Sequence, residues 1–380
     1  MSNRVLVLVT SSFPIRSDGS EAAGSFVADL AEEMAKFINV RIVAPGYTTM
    51  SEQWAERIEV RRYATPLRPL STLKAWRAND LYWITRVLYG GARTTRAAVT
   101  LDVTHVFALW GLPCGEWARR AARARGIGYS VWLLGSDIWS LGRLPILRGM
   151  LARVIRRARS AYADGYQLAK DAELIAGVPV HFLPSTRRID LPDPLPPRDQ
   201  PPYRLLFLGR WHRNKGIDLL LDALAMQGDD GWRHIEKVEI WGGGPLAPLV
   251  RERVAQLRAI GRPIELGGFL NKHEAEAAIS RADWVLIPSR IESIPVIFSD
   301  AMKLRRPVIT TPVGDLPRLV GADGCGILAE RVDAMAYRQS LNVMQRTSTW
   351  AFAEGISVQA THFDIGKIAA NILQTISDQA

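Results

Sequence analysis

One stretch near the middle of the chain, Leu191-Pro-Asp-Pro-Leu-Pro-Pro-Arg-Asp-Gln-Pro-Pro202, admits neither a helix nor a central strand. Proline lacks the amide proton that both ladders use, and its ring blocks the backbone before it. The break divides 380 residues into two stretches, each large enough for its own core. The same pattern runs on both sides of it. Before the break, strands are expected at Arg4–Val9, Val40–Ala44, Thr104–Leu109, Tyr129–Leu133, Ser160–Ala163 and Val180–Leu183, with helices such as Ser25–Phe37 and Gly115–Arg125 between them. After it, strands are expected at Leu205–Leu208, Glu239–Trp241, Ile264–Leu266, Trp284–Ile287 and Val308–Thr310, and helices at Ile217–Ala225, Leu246–Ile260 and His273–Ser280. Val-, Ile- and Leu-rich strands that alternate with helices belong to parallel sheets covered on both faces. The sequence therefore predicts an α/β chain of two Rossmann-like, doubly wound domains facing across a cleft, at 1–190 and 203–358, joined by a linker at 191–202. The amphipathic stretch Gly366–Ser377, within a helix at about 360–380, is expected to pack back on the first domain. Ligands of such sheets sit beyond the carboxyl ends of the strands, which places the expected ligand in the cleft.

Composition narrows the class. Hydrophobic residues make up 48% and charged residues 23%, as in ordinary globular domains. No apolar run reaches the roughly 18 residues that a spanning helix needs. Met1–Thr10 runs into Ser11 and Ser12 without the pattern of a secretory signal. Cys114 and Cys325 stand in separate halves, which suggests reduced thiols and a cytoplasmic location. The net charge of +10 lies in the first half, where residues 1–190 carry 26 Lys and Arg against 16 Asp and Glu. Two basic stretches stand out. One holds Arg148, Arg153, Arg156, Arg157 and Arg159 among apolar residues; the other, Arg57–Arg86, adjoins Trp54 and includes Trp76 and Trp83. Such a surface is either a solvated basic face or one that meets phosphates, as in an anionic membrane or a lipid-linked or otherwise anionic acceptor. No nucleic-acid-binding motif accompanies the charge, and no His, Cys or Asp cluster has metal-ligand spacing.

Chemistry concentrates in the loops after the strands of the second half. Leu205–Leu208 ends at Gly209, and Arg210 and Lys215 follow before a helix begins near Gly216. A helix start with two cations suits a diphosphate, and a plain surface loop with ordinary cations is the alternative. Gly242, Gly243 and Gly244 follow the next strand, where they permit a tight turn or a close ligand approach. Gly267-Gly-Phe-Leu270 repeats the arrangement, with Phe269 either stacked on a base or part of the core. In Pro288–Met302, Ser293 is expected to cap a helix with Pro295 in its first turn. Glu292 then stands before the helix and Asp300 more than a turn along it, so the two carboxylates can accept hydrogen bonds from two separate groups of hydroxyls.

Taken in order, Gly209-Arg210, Lys215-Gly216, Trp241-Gly-Gly-Gly-Pro245, Gly267-Gly-Phe-Leu270, Pro288-Ser289, Glu292, Asp300-Ala-Met302 and Arg306-Pro-Val-Ile309 resemble a known family. Over residues 203–330 the chain is similar to the GT-B-fold retaining glycosyltransferases of glycosyltransferase family four, the group one glycosyl transferases. The resemblance implies a sugar donor, a nucleoside diphosphate sugar of the UDP or GDP type, with no other cofactor and no metal. It assigns Arg210 and Lys215 to the diphosphate, Glu292 to the sugar hydroxyls, Asp300 to the ribose, and the backbone of Ser293, Ile294, Pro295 and Val296 to sugar and phosphate. The family usually has glutamate where Asp300 stands. In the first half, Ser11-Ser-Phe-Pro14 with Gly19 or Gly24 resembles the family's loop facing phosphate and acceptor, and Leu109–Gly115 resembles a loop near the acceptor. Leu134-Gly-Ser-Asp137 resembles a His-Gly-Ser-Asp element with leucine in the histidine position. Asp137 there is either an acceptor contact or a structural support. Pro184–Asp190 departs from the family's Pro-Asn-Gly-Val-Asp. The implied reaction moves a sugar onto a hydroxyl in polysaccharide, glycolipid or other glycoconjugate synthesis. A sugar-nucleotide epimerase on the same scaffold and an inactive sugar-nucleotide-binding protein are the alternatives.

Overall fold

A computed structural model of the chain describes residues 4–15, 24–66, 73–74, 76–191 and 194–378. The chain forms two compact units, Met1–Arg187 together with Ile365–Ala380, and Arg188–Asp364.

In the first unit, strands β1 (Val5–Val9), β2 (Asn39–Gly46), β3 (Met50–Ala55), β4 (Ile58–Ala64), β5 (Val103–Leu109), β6 (Gly128–Leu133), β7 (Ala161–Ala163) and β8 (His181–Phe182) form one sheet. Its order is β3-β4-β2-β1-β5-β6-β7-β8. All neighbours are parallel except β3 and β4. Every residue of β1 is buried, because successive side chains enter opposite cores. Val5, Val7 and Val9 pack with Val106, Trp117 and Val131. Leu6 and Leu8 pack on the other face with Val27 and Leu30 of the helix Ser25–Ala35, and with Ile365, Ile368 and Ile372 of the last helix, Ile365–Asp378. The apolar stripe of that last helix thus completes the core of the first unit.

The β3–β4 hairpin is absent from the expected strands. Its strands carry polar residues, and Arg62 in β4 is buried. That cation is tolerated because it pairs with Glu52 at 2.6 Å and donates to the carbonyls of Pro45 and Pro14 at 2.9 and 2.8 Å. Part of the basic stretch beginning at Arg57 is therefore internal structure and not free surface.

In the second unit, β9 (Tyr203–Arg210), β10 (Ile235–Gly243), β11 (Ile264–Gly267), β12 (Trp284–Ile287), β13 (Val308–Thr310) and β14 (Gly326–Leu328) form a parallel sheet in the order β11-β10-β9-β12-β13-β14. β14 is short and was not among the expected strands. The division between the units falls between Arg187 and Arg188, earlier than the expected linker, and the proline-rich stretch belongs to the second unit. Its amides are taken up by side chains. Asp190 and Leu191 N–H donate to Glu276 at 3.0 and 3.1 Å, Leu195 N–H to Ser280 at 3.3 Å, and Arg198 N–H to Asp283 at 2.8 Å. Proline removes the ladder but leaves these amides free for local acceptors. The buried Arg306 donates to the carbonyls of Ser280, at 2.8 Å, and Leu195, which fastens the same stretch. No helix among the described residues is long and apolar enough to cross a membrane.

A buried histidine gives the first unit a pH signature. His105 of β5 is 1% exposed and shares a hydrogen bond of 2.9 Å with Ser130 of β6. Burial, assisted by the nearby Arg159 charge, lowers its pKa from 6.5 to about 4. The unfolded chain takes up this proton below about pH 6.5 and the folded chain does not, so stability falls as pH drops from 6.5 toward 4. Between pH 6.5 and 5 the contribution is about 2 kcal/mol. Thermal unfolding over that range is expected to decline less steeply for His105→Gln than for the unmodified chain; parallel declines would contradict the assignment.

Candidate functional site

The second sheet reverses direction at one place. From β9 the chain steps outward through β10 to β11, then returns to β12 on the other side of β9 and steps outward again. Crossovers leave in opposite directions there, which opens a crevice at the carboxyl ends of β9 and β12. The loop after β9 carries Arg210 and Lys215; the loop after β12 carries Ser289–Pro295.

Two glycines bring these loops together. Gly216 has φ +69°, and a Cβ there would lie 1.7 Å from the Pro288 carbonyl oxygen. Gly314, after β13, has φ +55°, and a Cβ there would lie 2.2 Å from the Glu292 carbonyl oxygen. Only a residue without a side chain permits either approach. Arg290 adds polar fastenings. Its N–H donates to Asn214 O at 2.7 Å, its guanidinium to Arg213 O at 2.8 Å, and it pairs with Asp218 at 2.7 Å. Thr311 hydroxyl donates to the carbonyl of Ser289. Sequence reasoning missed Arg290, Thr311 and Gly314. The last had a readable signal, a glycine soon after an apolar strand.

The geometry joins two expected site residues directly. The Lys215 ammonium pairs with Glu292, whose Oε1 also accepts from the Ser289 hydroxyl at 2.9 Å. The Glu292 side chain is 10% exposed and that of Lys215 36%, so the carboxylate lies inside and the cation at the mouth. Arg210 ends β9 exposed, with no ion pair among the described residues.

Other expectations divide. Ser293 does not cap the helix. That helix is Val296–Lys303 with Pro295 at the cap position; the residue before a proline is held out of the helical region, so the helix cannot start earlier. The Ser293 hydroxyl is buried and has no partner among the described residues, while Ser293 O accepts from Asp315 N–H at 3.3 Å. Ile294 is buried beside it. Asp300 lies within the helix and is 1% exposed. Phe269 is not core: it is 67% exposed, and its ring lies where a Cβ on Gly243 would come within 2.7 Å of it.

In the first unit, Gly24 has φ +78° and closes on Ser12 ahead of the helix Ser25–Ala35; Gly19 lies outside the described residues. Asp137 is 1% exposed, and its Oδ2 accepts from Gly111 N–H at 2.7 Å. Burial raises its pKa against the pull of four backbone donors. It ties the turn after β6 to the turn after β5. Among the described residues no group of three His, Cys, Asp or Glu side chains stands as a metal site.

Residues 202–344 match the family model described as Glycosyl transferases group 1. That stretch lies within the second unit, Arg188–Asp364. Within the matched stretch lie both glycine clamps, the Lys215–Glu292 pair and Asp300. The chain is 29% identical over 154 residues to the putative colanic acid biosynthesis glycosyltransferase WcaL of Escherichia coli (strain K12), covering 39% of this chain and 37% of that one. It is 25% identical over 295 residues to the putative teichuronic acid biosynthesis glycosyltransferase TuaC of Bacillus subtilis (strain 168), covering 70% and 68%. The matched stretch spans little more than a third of the length of the first curated relatives. The whole fold is similar to sucrose-phosphate synthase from Thermosynechococcus elongatus, with a TM-score of 0.75 at 18% identity over 99% of both chains. Anabaena Alr3699/HepE, solved in complex with UDP-glucose, gives a TM-score of 0.70 at 14% identity over 98% of this chain and 99% of that one. The fold is GT-B.

The clamp has a direct test. Gly216→Ala forces a left-handed residue into the Pro288 carbonyl and is expected to cost at least about 2 kcal/mol in denaturant unfolding. Gly268→Ala, at a position with ordinary φ and nothing within 4 Å, is expected to be nearly neutral. Equal effects would remove the clamp.

Proposed function

We propose that this chain is a retaining glycosyltransferase that moves a sugar, of hexose type, from a nucleoside diphosphate sugar to a hydroxyl acceptor. The observation that carries this is the Lys215–Glu292 pair at the strand reversal of the stretch that matches the group 1 glycosyl transferases. Breaking the glycosidic bond builds negative charge on the departing diphosphate. A fixed cation beside that charge stabilises the transition state more than the ground state. In this reading the diphosphate enters beside Lys215 and Arg210 and replaces Glu292 as the partner of the ammonium. Glu292 is then free to accept hydrogen bonds from the sugar hydroxyls, held in place by Ser289. The backbone of Ser293–Val296 lines sugar and phosphate, Asp300 takes the ribose hydroxyls, and the exposed ring of Phe269 over Gly243 offers a face to the base. Side-chain cations balance the leaving group in this scheme, so transfer is expected to persist in EDTA.

Support for a nucleotide-sugar donor also comes from the neighbours, one of which is solved with UDP-glucose and another with UDP-2-fluoro glucose. Relatives named for colanic and teichuronic acid biosynthesis favour a glycoconjugate product and an anionic or lipid-linked acceptor. Contact with an anionic membrane is part of the reading. The helix Ala78–Ala98 exposes Leu81, Tyr82, Leu88 and Tyr89 with Arg86 and Arg93, and its one acid, Asp80, is buried. Apolar and aromatic side chains among arginines suit an anionic interface. The reading places the chain on the cytoplasmic side, in keeping with two buried cysteines that form no disulfide.

A panel of UDP and GDP sugars is expected to contain one that raises the unfolding temperature. Lys215→Ala should abolish that rise, and both Lys215→Ala and Glu292→Gln should lower transfer by at least about 100-fold. Unchanged rates in both variants would defeat the assignment; sugar modification without an acceptor would favour the epimerase. Binding to anionic vesicles should weaken with salt and with Arg86→Glu plus Arg93→Glu; no binding at low salt removes the membrane part.

A further inference from the structure

The first unit holds a second concentration of positive charge, far along the chain from the glycine loops and at the other end of its own sheet. The helix Glu116–Arg125 runs into β6, and the helix Pro145–Arg157 runs toward β7. Both helices therefore end at the amino edge of the parallel sheet, opposite the carboxyl edge where Gly24, Gly111 and Asp137 lie. Between these two helix ends is a cavity of about 600 Å³ lined by Arg119, Arg123, Arg153, Arg157, Arg159 and Tyr129. A second depression of about 480 Å³ shares Arg153 and Arg157 and adds Arg156. Among the described residues no acidic side chain lines either one.

Two of the cations, Arg119 and Arg159, are held in place, and the set is incompletely neutralised. Glu116 binds Arg119 through both carboxylate oxygens, at 2.7 and 2.8 Å, and also takes Arg120 at 2.6 Å. That pairing occupies the Glu116 carboxylate, which is not among the residues lining the cavity. Arg123, Arg153 and Arg157 form no ion pair among the described residues and are exposed. Arg159 is seated by its neighbour: a Cβ on Gly128 would come within 2.4 Å of its Nε, and its own N–H donates to Tyr129 O at 2.8 Å. The potential reaches the interior, where the Arg159 charge adds to burial in keeping His105 unprotonated.

We propose that this arginine-lined cavity at the amino edge of the first sheet binds a phosphate-bearing anion, separate from the donor site of the second unit. Guanidinium forks from two helices and a loop can each engage two oxygens, which matches the several oxygens and multiple charge of phosphate or diphosphate better than a single carboxylate. The phosphate is either that of a bilayer headgroup or that of a soluble diphosphate. The inference rests on the first unit alone and stands whether or not the donor assignment does.

The test uses the full chain. Inorganic pyrophosphate is titrated calorimetrically at low salt into Arg210→Ala, Lys215→Ala, which removes both cations of the proposed donor site, and into the same protein carrying Arg153→Ala and Arg157→Ala. The variant lacking all four cations is expected to bind at least about tenfold more weakly than the one lacking only the donor pair. Gly128→Ala, which displaces Arg159, should weaken binding in the same direction. In parallel, phosphatidylcholine vesicles with and without phosphatidylglycerol are sedimented with an Arg86→Glu, Arg93→Glu protein, with and without the Arg153 and Arg157 replacements. A loss confined to vesicles assigns the phosphate to a bilayer; a loss with pyrophosphate assigns it to a soluble ligand. The double Arg153→Ala, Arg157→Ala protein should keep any donor-induced thermal stabilisation, which separates this result from failure of the donor site. Equal binding with and without the two arginines in both arms overturns the proposal. So does binding of duplex DNA that pyrophosphate and anionic vesicles fail to displace.

Discussion

The Pro288 carbonyl occupies the space where a side chain at position 216 would begin. That one contact decides how the loops after β9 and β12 meet. A bulkier residue would part them, and the ammonium of Lys215 would no longer reach Glu292. Gly314 repeats the device from the far side by admitting the Glu292 carbonyl, so the loop carrying the carboxylate is gripped between two glycines. Arg290 then spends its donors on the 213–218 turn. Half-exposed hydrogen bonds of this kind fix position more than they add stability. A closely fitted pair of loops at a strand reversal is where a parallel sheet can hold a ligand without interrupting its ladder.

How much of this the sequence disclosed depended on where each partner lay. Fully buried strands such as β1, β12 and β13 are readable because both faces are apolar and flanking loops end them. The β3–β4 hairpin is not, since β3 lies at the sheet's edge with polar residues and β4 buries an arginine whose acceptors, Glu52, Pro45 and Pro14, come from elsewhere. The proline-rich stretch was visible as a break, but not as a docked segment, because its acceptors Glu276, Ser280 and Asp283 lie some 85 residues later. In the site, the glycines at strand ends and the pair of carboxylates were legible from order alone. Arg290 was not, because its partners lie more than 70 residues away in sequence. Phe269 could be read as stacked on a base or as core, and its exposure, which depends on packing over Gly243, removes the core reading.

Charge in the first unit shows why a net count says little by itself. Arg41 pairs with Glu59 and Asp102, Arg62 with Glu52, and Arg119 with Glu116. Those pairs are structural and leave the outer potential to the remaining arginines. The exposed basic groups then gather in separate places, along the helix Ala78–Ala98 and around the cavity at the amino edge of β6. Each is flanked by a different kind of neighbour, aromatic and apolar in one case and almost wholly cationic in the other.

The last helix carries a consequence for how the chain is made. Ile365, Ile368, Ala369 and Ile372 belong to the core of the unit that begins the chain. A ribosome emits that unit's first 187 residues, then the whole contiguous second unit, before the missing helix emerges. During elongation the second unit can close on its own, while the first waits with Leu6, Leu8, Val27 and Leu30 lacking their final cover. Of the two units, the one whose strands emerge earlier is therefore the one completed later.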